Sequence, residues 1–379
     1  MPRATSTPAT RLATRIGFFV AGFMMAVWAP LVPYAKEFTG SDDRQLGQLL
    51  LCLGIGSLIA MPITGVVSSR TGAKPMILAG AFGISIALPL LMLAHDPLVL
   101  GAGLLLVGAS LGTLDVSINV HAVEVEKGHA GTLMSGFHGM FSVGGLFGAA
   151  FTSFLLTQGF SPFLAAATAA VIAIGLIIFA MPKFLSVEGG EAPAFVLPKG
   201  IVLLFALLAA IAFMAEGALL DWGALLMLDQ NMIVPAQGGY GYMAFSVTMS
   251  IGRFTGDRII AALGSFKVLL IGGILAVLGF ALLLMTDSLT IAMLGFALIG
   301  LGAANIVPVI FSAAGHQTIM PGGMAIAAVT TVGYAGILLG PAAIGYVAEA
   351  YSLPTAFWLV AALMAVIPLT AHITTRKSA

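Results

Sequence analysis

Long apolar stretches alternate with short polar ones along the whole chain. Each stretch runs for about 20 residues, the length an α-helix needs to cross a hydrocarbon core of roughly 30 Å. Twelve such stretches are legible, at 14–35, 46–68, 75–94, 98–121, 134–157, 162–181, 200–228, 239–260, 267–286, 289–314, 324–348 and 353–373. The connections between them are short and hold most of the charges. The longest, 182–199, carries Glu188, Gly189, Gly190, Glu191, Pro193 and Pro198 and reads as a linker between two halves. The pattern predicts an all-α membrane protein of twelve transmembrane helices. It divides into a six-helix half over 1–181, a cytoplasmic linker over 182–199 and a second six-helix half over 200–379.

Composition excludes the alternatives. Hydrophobic residues make up 60% of the chain and charged residues only 8%, with a mean hydropathy of +1.10. Soluble domains carry about 25% charged residues, so this chain cannot cover a water-facing surface. Fifteen basic against fifteen acidic residues give no net charge. A nucleic-acid binder would show a basic stripe. The single cysteine, Cys52, forms no intrachain disulfide, and the six histidines lack metal-ligand spacing. No nucleophile–base pair, phosphate loop or cofactor motif is readable, so neither an enzyme nor a cofactor is expected. Arg3, Arg11 and Arg15 ahead of Ile16 resemble the start of a signal peptide. The apolar run behind them is long enough to span, and it reads as the first helix.

Orientation follows from lysine and arginine in the short loops. With the N-terminus inside, thirteen of them fall on the cytoplasmic side, and only Lys36 and Arg44 fall outside. Both termini are therefore expected in the cytoplasm, in the inner membrane of a cell. Features also recur near half the chain length. Ser-Leu-Gly before Asp115 matches Gly-Leu-Gly before Asn305 (305 − 115 = 190). Gly144 and Gly148 match Gly336 and Gly340 (336 − 144 = 192), and Ser69-Arg70 matches Asp257-Arg258 (257 − 69 = 188). A duplication into two six-helix halves of the same orientation explains all three.

Parallel halves of six spans resemble the major facilitator superfamily, whose substrate site lies between the halves near the midplane. The loop after the second span, GVVSSRTGAK from Gly65 to Lys74, is similar to that superfamily's signature G-x-x-x-D-R-x-G-R-K. Ser69 replaces its acid. The second half reads GRFTGDR, Gly252 to Arg258, and keeps the acid at Asp257. The resemblance implies a cytoplasmic gate built from Arg70, Lys74, Arg253, Asp257 and Arg258. Three stretches, LDVSINVHAVEVE, MSGFHGMFSVGGLFGA and AEGALLDW, resemble the fucose-permease-like and rhizopine-transporter-like branch. That branch implies proton-coupled uptake of a sugar-like compound.

Ionisable groups inside a membrane are costly and mark function by default. Asp115 lies on the fourth span with Asn119 one turn later. It resembles the protonatable acid of the branch, or else pairs with Asn119 for packing. The branch's other acid, on the first span, has no match. Glu216 on the seventh span fills that gap, two-thirds of the way along, with Gly217 and Gly223 close by on the same helix. Asp221 lies nearer the outer end, as a gating partner or a solvated mouth residue. Trp222 either stacks on a sugar ring or belongs to the interfacial belt. His138, at a depth similar to that of Asp115, can relay a proton or simply bond a backbone carbonyl. His121, nearer the loop, is expected to be wet. Asn305 is a candidate hydrogen-bond donor to substrate. The glycines at 144, 145, 148, 336 and 340, with Pro341, suit helix packing. No lysine or arginine is placed at the middle of a span, which points to a neutral or cationic solute. The leading reading is a monomeric proton symporter of a small polar solute in the lipid bilayer, with no nucleic-acid partner. An exporter of drugs or metabolites and a non-transporting sensor or scaffold are the alternatives.

Overall fold

A computed structural model describes residues 6–129, 133–186, 197–320 and 322–375. Among them the regular elements are all helical. They are α1 (Pro8–Val27), α2 (Val32–Thr39), α3 (Asp43–Thr71), α4 (Ala73–Leu90), α5 (Pro97–Lys127), α6 (Met134–Thr157) and α7 (Pro162–Ala180), followed by α8 (Ile201–Asp229), α9 (Tyr240–Leu284), α10 (Leu289–Ala303), α11 (Ile306–His316), α12 (Gly322–Ala350) and α13 (Leu353–Thr374), with short 3₁₀ turns between some of them.

Local chemistry sets the helix starts. Thr7 and Thr10 form a reciprocal capping box on α1. Asp96 accepts from the N–H groups of Leu98 and Val99 ahead of Pro97. Ser161 and Ser352 cap α7 and α13 in the same way, each just before a proline-led first turn. Pro30 and Pro33 lack the N–H that a continuous helix needs, so the first span passes through a 3₁₀ turn between α1 and α2.

Eleven stretches among the described residues are long and apolar enough to cross a membrane. The twelfth is 240–263, the first part of α9. It carries Arg253, Asp257 and Arg258 and so falls short in hydropathy, yet at 1.5 Å per residue it is about 36 Å long. Gly264, with φ of 77° and ψ of 156°, turns the chain between this stretch and the ninth span. Twelve crossings result, as the apolar pattern predicts.

The chain divides into two compact units. Unit 1 holds Met1–Ser41, Leu49–Ala192 and Pro235–Met243. Its α1 lies directly on α6, because Gly144 and Gly148 let the backbone of α6 meet the carbonyls of Phe19 and Phe23. A Cβ at either glycine would overlap those oxygens. Phe18 and Phe137 stack beside this seam, ring centroids 5.9 Å apart. Within the same unit the Gly239 N–H donates to Ser153 Oγ at 3.0 Å.

Unit 2 holds Asp42–Gln48, Pro193–Val234 and Ala244–Ala379. Its α8 lies on α12 by the same device. Gly336 meets the Ala210 carbonyl and Gly340 meets Met214. Gln48 at the start of α3 belongs here and donates to the Tyr346 hydroxyl of α12 at 2.7 Å, while Arg44 lies 5.0 Å from that ring. The packing role expected of these glycines is therefore what the helices use. Close backbone approach gives van der Waals contact where lipid removes the hydrophobic drive between helices. Large apolar side chains such as Leu58, Ile59 and Ile63 of α3 point outward, a surface suited to lipid.

Candidate functional site

The second unit holds a charge pair at mid-helix. Glu216 lies about 23 Å from the start of α8 and about 20 Å from its end, so it stands near the middle of the span, not two-thirds along it. Arg253 stands about 20 Å from Tyr240 and about 17 Å from the turn at Gly264. Arg253 Nη2 approaches Glu216 Oε2 at 3.5 Å, with the side chains 22% and 20% exposed.

This corrects two expectations. Arg253 was expected near the helix end, but it lies near mid-helix, where its guanidinium reaches Glu216. The middle of the spans was expected to lack a base, but Arg253 supplies one, so the argument against an anionic solute falls. The reason is helix length. The second-half signature lies inside α9, and the turn comes only at Gly264. In the first half Gly72, with φ of 84°, turns the chain directly after α3. From Gly72 to Gly264 is 192, whereas from Arg70 to Arg258 is 188. The second half thus has four extra residues, about one helical turn, which move Arg253 deeper.

Beside the pair, the tenth span breaks between α10 and α11 at Asn305. Buried Asn305 donates from Nδ2 to the Gly252 carbonyl at 3.0 Å. Its Oδ1 occupies the space that a Cβ on Gly256 would need. Its amide is thus engaged with α9, not presented to a solute. Asp221 is buried rather than at a wet mouth. Trp222 has 0% of its surface exposed, which fits neither an interfacial belt nor an open ring face for a sugar. Its Nε1 has no hydrogen-bond partner among the described residues.

In the first unit Asp115 accepts from Asn119 Nδ2 at 3.2 Å, and the same amide donates to the Asp115 carbonyl at 2.9 Å. Both side chains are partly exposed. Because α5 continues to Lys127, Asp115 lies about 18 Å from the helix end, while His138 lies about 6 Å from the start of α6. The similar depth expected from a shorter fourth span does not hold. The His138 ring stands edge-on to Phe18 at 5.0 Å.

His121 is 1% exposed, not wet. Its Nε2 accepts from the Leu185 N–H at 2.9 Å, so the ring is neutral and Nδ1 carries the proton. Nδ1 stands 3.2 Å from Thr14 Oγ1, which donates to the Thr10 carbonyl at 2.9 Å. One imidazole thus joins α1, α5 and the chain after α7. At the proposed gate Arg70 is an exposed residue in the last turn of α3 and Lys74 lies in the first turn of α4, on either side of Gly72. Arg258 is exposed on α9. The side chains of Ser69 and Asp257, and residues 187–196 with Glu188, lie outside the described residues.

The sequence missed the Arg253–Glu216 contact because the eighth span was ended at 260, which set Arg253 near its cytoplasmic end. Taking Gly264 as the turn would have placed Arg253 near mid-helix. Nothing in the sequence signalled the His121 junction, since residues 14, 121 and 185 meet only in the folded unit.

Comparisons with known proteins agree with this architecture. Residues 15–318 match the Major Facilitator Superfamily. An uncharacterized MFS-type transporter of Yersinia pestis is 45% identical over 97% of this chain and 96% of its own length. Membrane protein MosC of Rhizobium meliloti is 31% identical over 93% of this chain and 87% of its own. Among solved structures, nucleoside transporter NupG superposes with a TM-score of 0.73 at 16% identity, covering 97% of this chain and 100% of that one. A bacterial homologue of the lysosomal transporter Spinster gives 0.75 at 12% identity, covering 97% and 96%. These structures share the fold, and the relatives share the sequence over nearly the full length. The chain is a membrane transporter and not an enzyme, and it belongs to the major facilitator superfamily.

Proposed function

We propose that this protein is a proton-coupled symporter of a small polar solute, working by alternating access as a monomer in the inner membrane with both termini cytoplasmic. The observation that carries the reading is the mid-helix Glu216–Arg253 pair. A carboxylate and a guanidinium that deep in an apolar helix bundle are retained at a cost, which favours a functional role. Both side chains remain partly exposed. Glu216 takes up a proton on one side and releases it on the other. Asp115 and Asn119 offer a second polar site, for the solute or for sharing the proton. Arg70, Lys74, Asp257 and Arg258 act at the cytoplasmic end as the gate. The thirteen-to-two distribution of lysine and arginine supports the orientation.

The test is Glu216→Gln, which mimics the protonated acid permanently. In cells making the parent protein, a pulse of transported solute should alkalinise the medium. In the variant, exchange of labelled solute should persist while alkalinisation and uphill accumulation are lost. Accumulation equal to the parent's would remove Glu216 from the coupling.

A further inference from the structure

We propose that the paired cytoplasmic ends of α9 and α13, and those of α4 and α7, each hold the headgroup of an anionic phospholipid, with its acyl chains along the outward apolar faces of the same helices. The inference is independent of the coupling assigned to Glu216. It takes from the proposed function only which side of the membrane these ends face.

Charge sets these four helices apart. Segments 73–93, 162–187, 259–286 and 353–379 contain no Asp or Glu. Their basic residues are Lys74, Lys183, Lys267, His372, Arg376 and Lys377, and each falls at the cytoplasmic end of its segment. The pattern recurs in both halves, since 267 − 74 = 193 and 376 − 183 = 193. Arg376 and Lys377 lie outside the described residues and count here as sequence alone. The acid nearest Lys267 in sequence is Asp257, across the turn at Gly264 and about 10 Å further down the helix. These segments bring no carboxylate of their own, so a lipid phosphate at the headgroup layer supplies the counter-charge.

Packing brings the ends together. In unit 2 the Phe266 ring meets His372 edge-on at 6.3 Å. A Cβ on Gly273 would overlap the Pro368 ring, and Phe280 lies 6.4 Å from Phe357. Numbers rise along α9 as they fall along α13, so the two helices run antiparallel and Lys267 shares its end with His372. Both of these side chains are exposed. Above them Ile274, Leu278, Leu369 and Ile373 are exposed too, an apolar face suited to acyl chains. In unit 1, α7 packs on α4 and on the turn at Leu91–Leu93. Lys183 Nζ donates to the Phe179 carbonyl at 3.1 Å and lies 3.1 Å from the centre of that ring. This holds the ammonium at the end of α7 and uses one of its three N–H donors. Phe179 and Ile178 beside it are exposed.

The test is native mass spectrometry of the purified full-length protein. It is titrated with dioleoylphosphatidylglycerol, with dioleoylphosphatidylcholine or with glycerol phosphate. The parent should retain up to two phosphatidylglycerol molecules under conditions that strip phosphatidylcholine. Glycerol phosphate at equal concentration should not displace them. Lys74 is also placed in the gate, so the variants are Lys267→Gln and Lys183→Gln. Each should weaken one of the two sites, by about fivefold for the charge removed. Lys267→Arg should keep its site. Lys36→Gln removes the same charge from the outer side and should leave both sites intact. Equal retention of the two lipids would overturn the proposal, and so would unchanged binding in both Gln variants. Displacement by glycerol phosphate would assign the ends to a free phosphate instead. Should a Gln variant fail to fold, the comparison of the two lipids on the parent and on Lys267→Arg decides.

Discussion

A double-mutant cycle on Glu216 and Arg253 measures whether the two charges act as a unit. At 3.5 Å and an effective dielectric constant of roughly 20, their attraction is about 5 kcal/mol. Desolvation of both ions opposes it, and one-fifth exposure admits screening, so the net coupling should be about 1–3 kcal/mol. The perturbations are Glu216→Gln, Arg253→Gln and the two together. Each single variant leaves a charge without this partner near mid-helix, whereas the double variant leaves none. The double should therefore be less destabilised than the sum of the singles. The assay is equilibrium unfolding in mixed micelles. Additivity within about 0.5 kcal/mol would refute the pairing.

Other substitutions test the remaining contacts. His121→Phe leaves Thr14 Oγ1 and the Leu185 N–H short of a partner; a loss of about 2–4 kcal/mol should follow, with faster protease cleavage at Lys183 as the local readout. Gly256→Ala places a Cβ on Asn305 Oδ1, and unfolding should show a loss of about 1–3 kcal/mol, smaller in an Asn305→Ala background. Gly144→Leu should prevent α1 from meeting α6 and abolish the folded, monodisperse protein in size-exclusion chromatography. A cysteine at Glu188, in a Cys52→Ser background, should resist an impermeant thiol reagent in intact cells; labelling from outside would invert the orientation.

Much of the architecture is legible because the membrane imposes a simple length rule. Apolar runs of about 20 residues locate the spans whatever their tertiary contacts. The glycine seams are legible too, since Gly144, Gly148, Gly336 and Gly340 repeat at one offset. Depth is harder. Asp115 and Arg253 were both placed too near a helix end, because α5 runs on to Lys127 and α9 runs on to Gly264. Helices that project past the bilayer carry polar residues, and a hydropathy scan stops there. Burial of Trp222 and His121 was illegible for another reason. Which way a side chain turns depends on neighbours distant in sequence.

The repeat also separates what the two halves share from what they do not. The contacts Gly144–Phe19 and Gly336–Ala210 align α1 with α8 at an offset of 210 − 19 = 191. By that offset Met25 stands where the second unit has Glu216, and by the loop offset of 188 Gly65 stands where it has Arg253. Both first-half positions are uncharged. Asn305 and Asp115 reverse the pattern, with the acid in the first half and the amide in the second. The amide of Asn305 is used on the backbone at Gly252, one residue from Arg253. The acid of Asp115 is held by Asn119 on its own helix. The small-residue seams recur in both halves, because each half packs its first helix on its fifth. The charges were under no such constraint. A second ion pair at mid-helix would add desolvation cost. The seams are therefore shared, while the Glu216–Arg253 positions are charged in the second half alone.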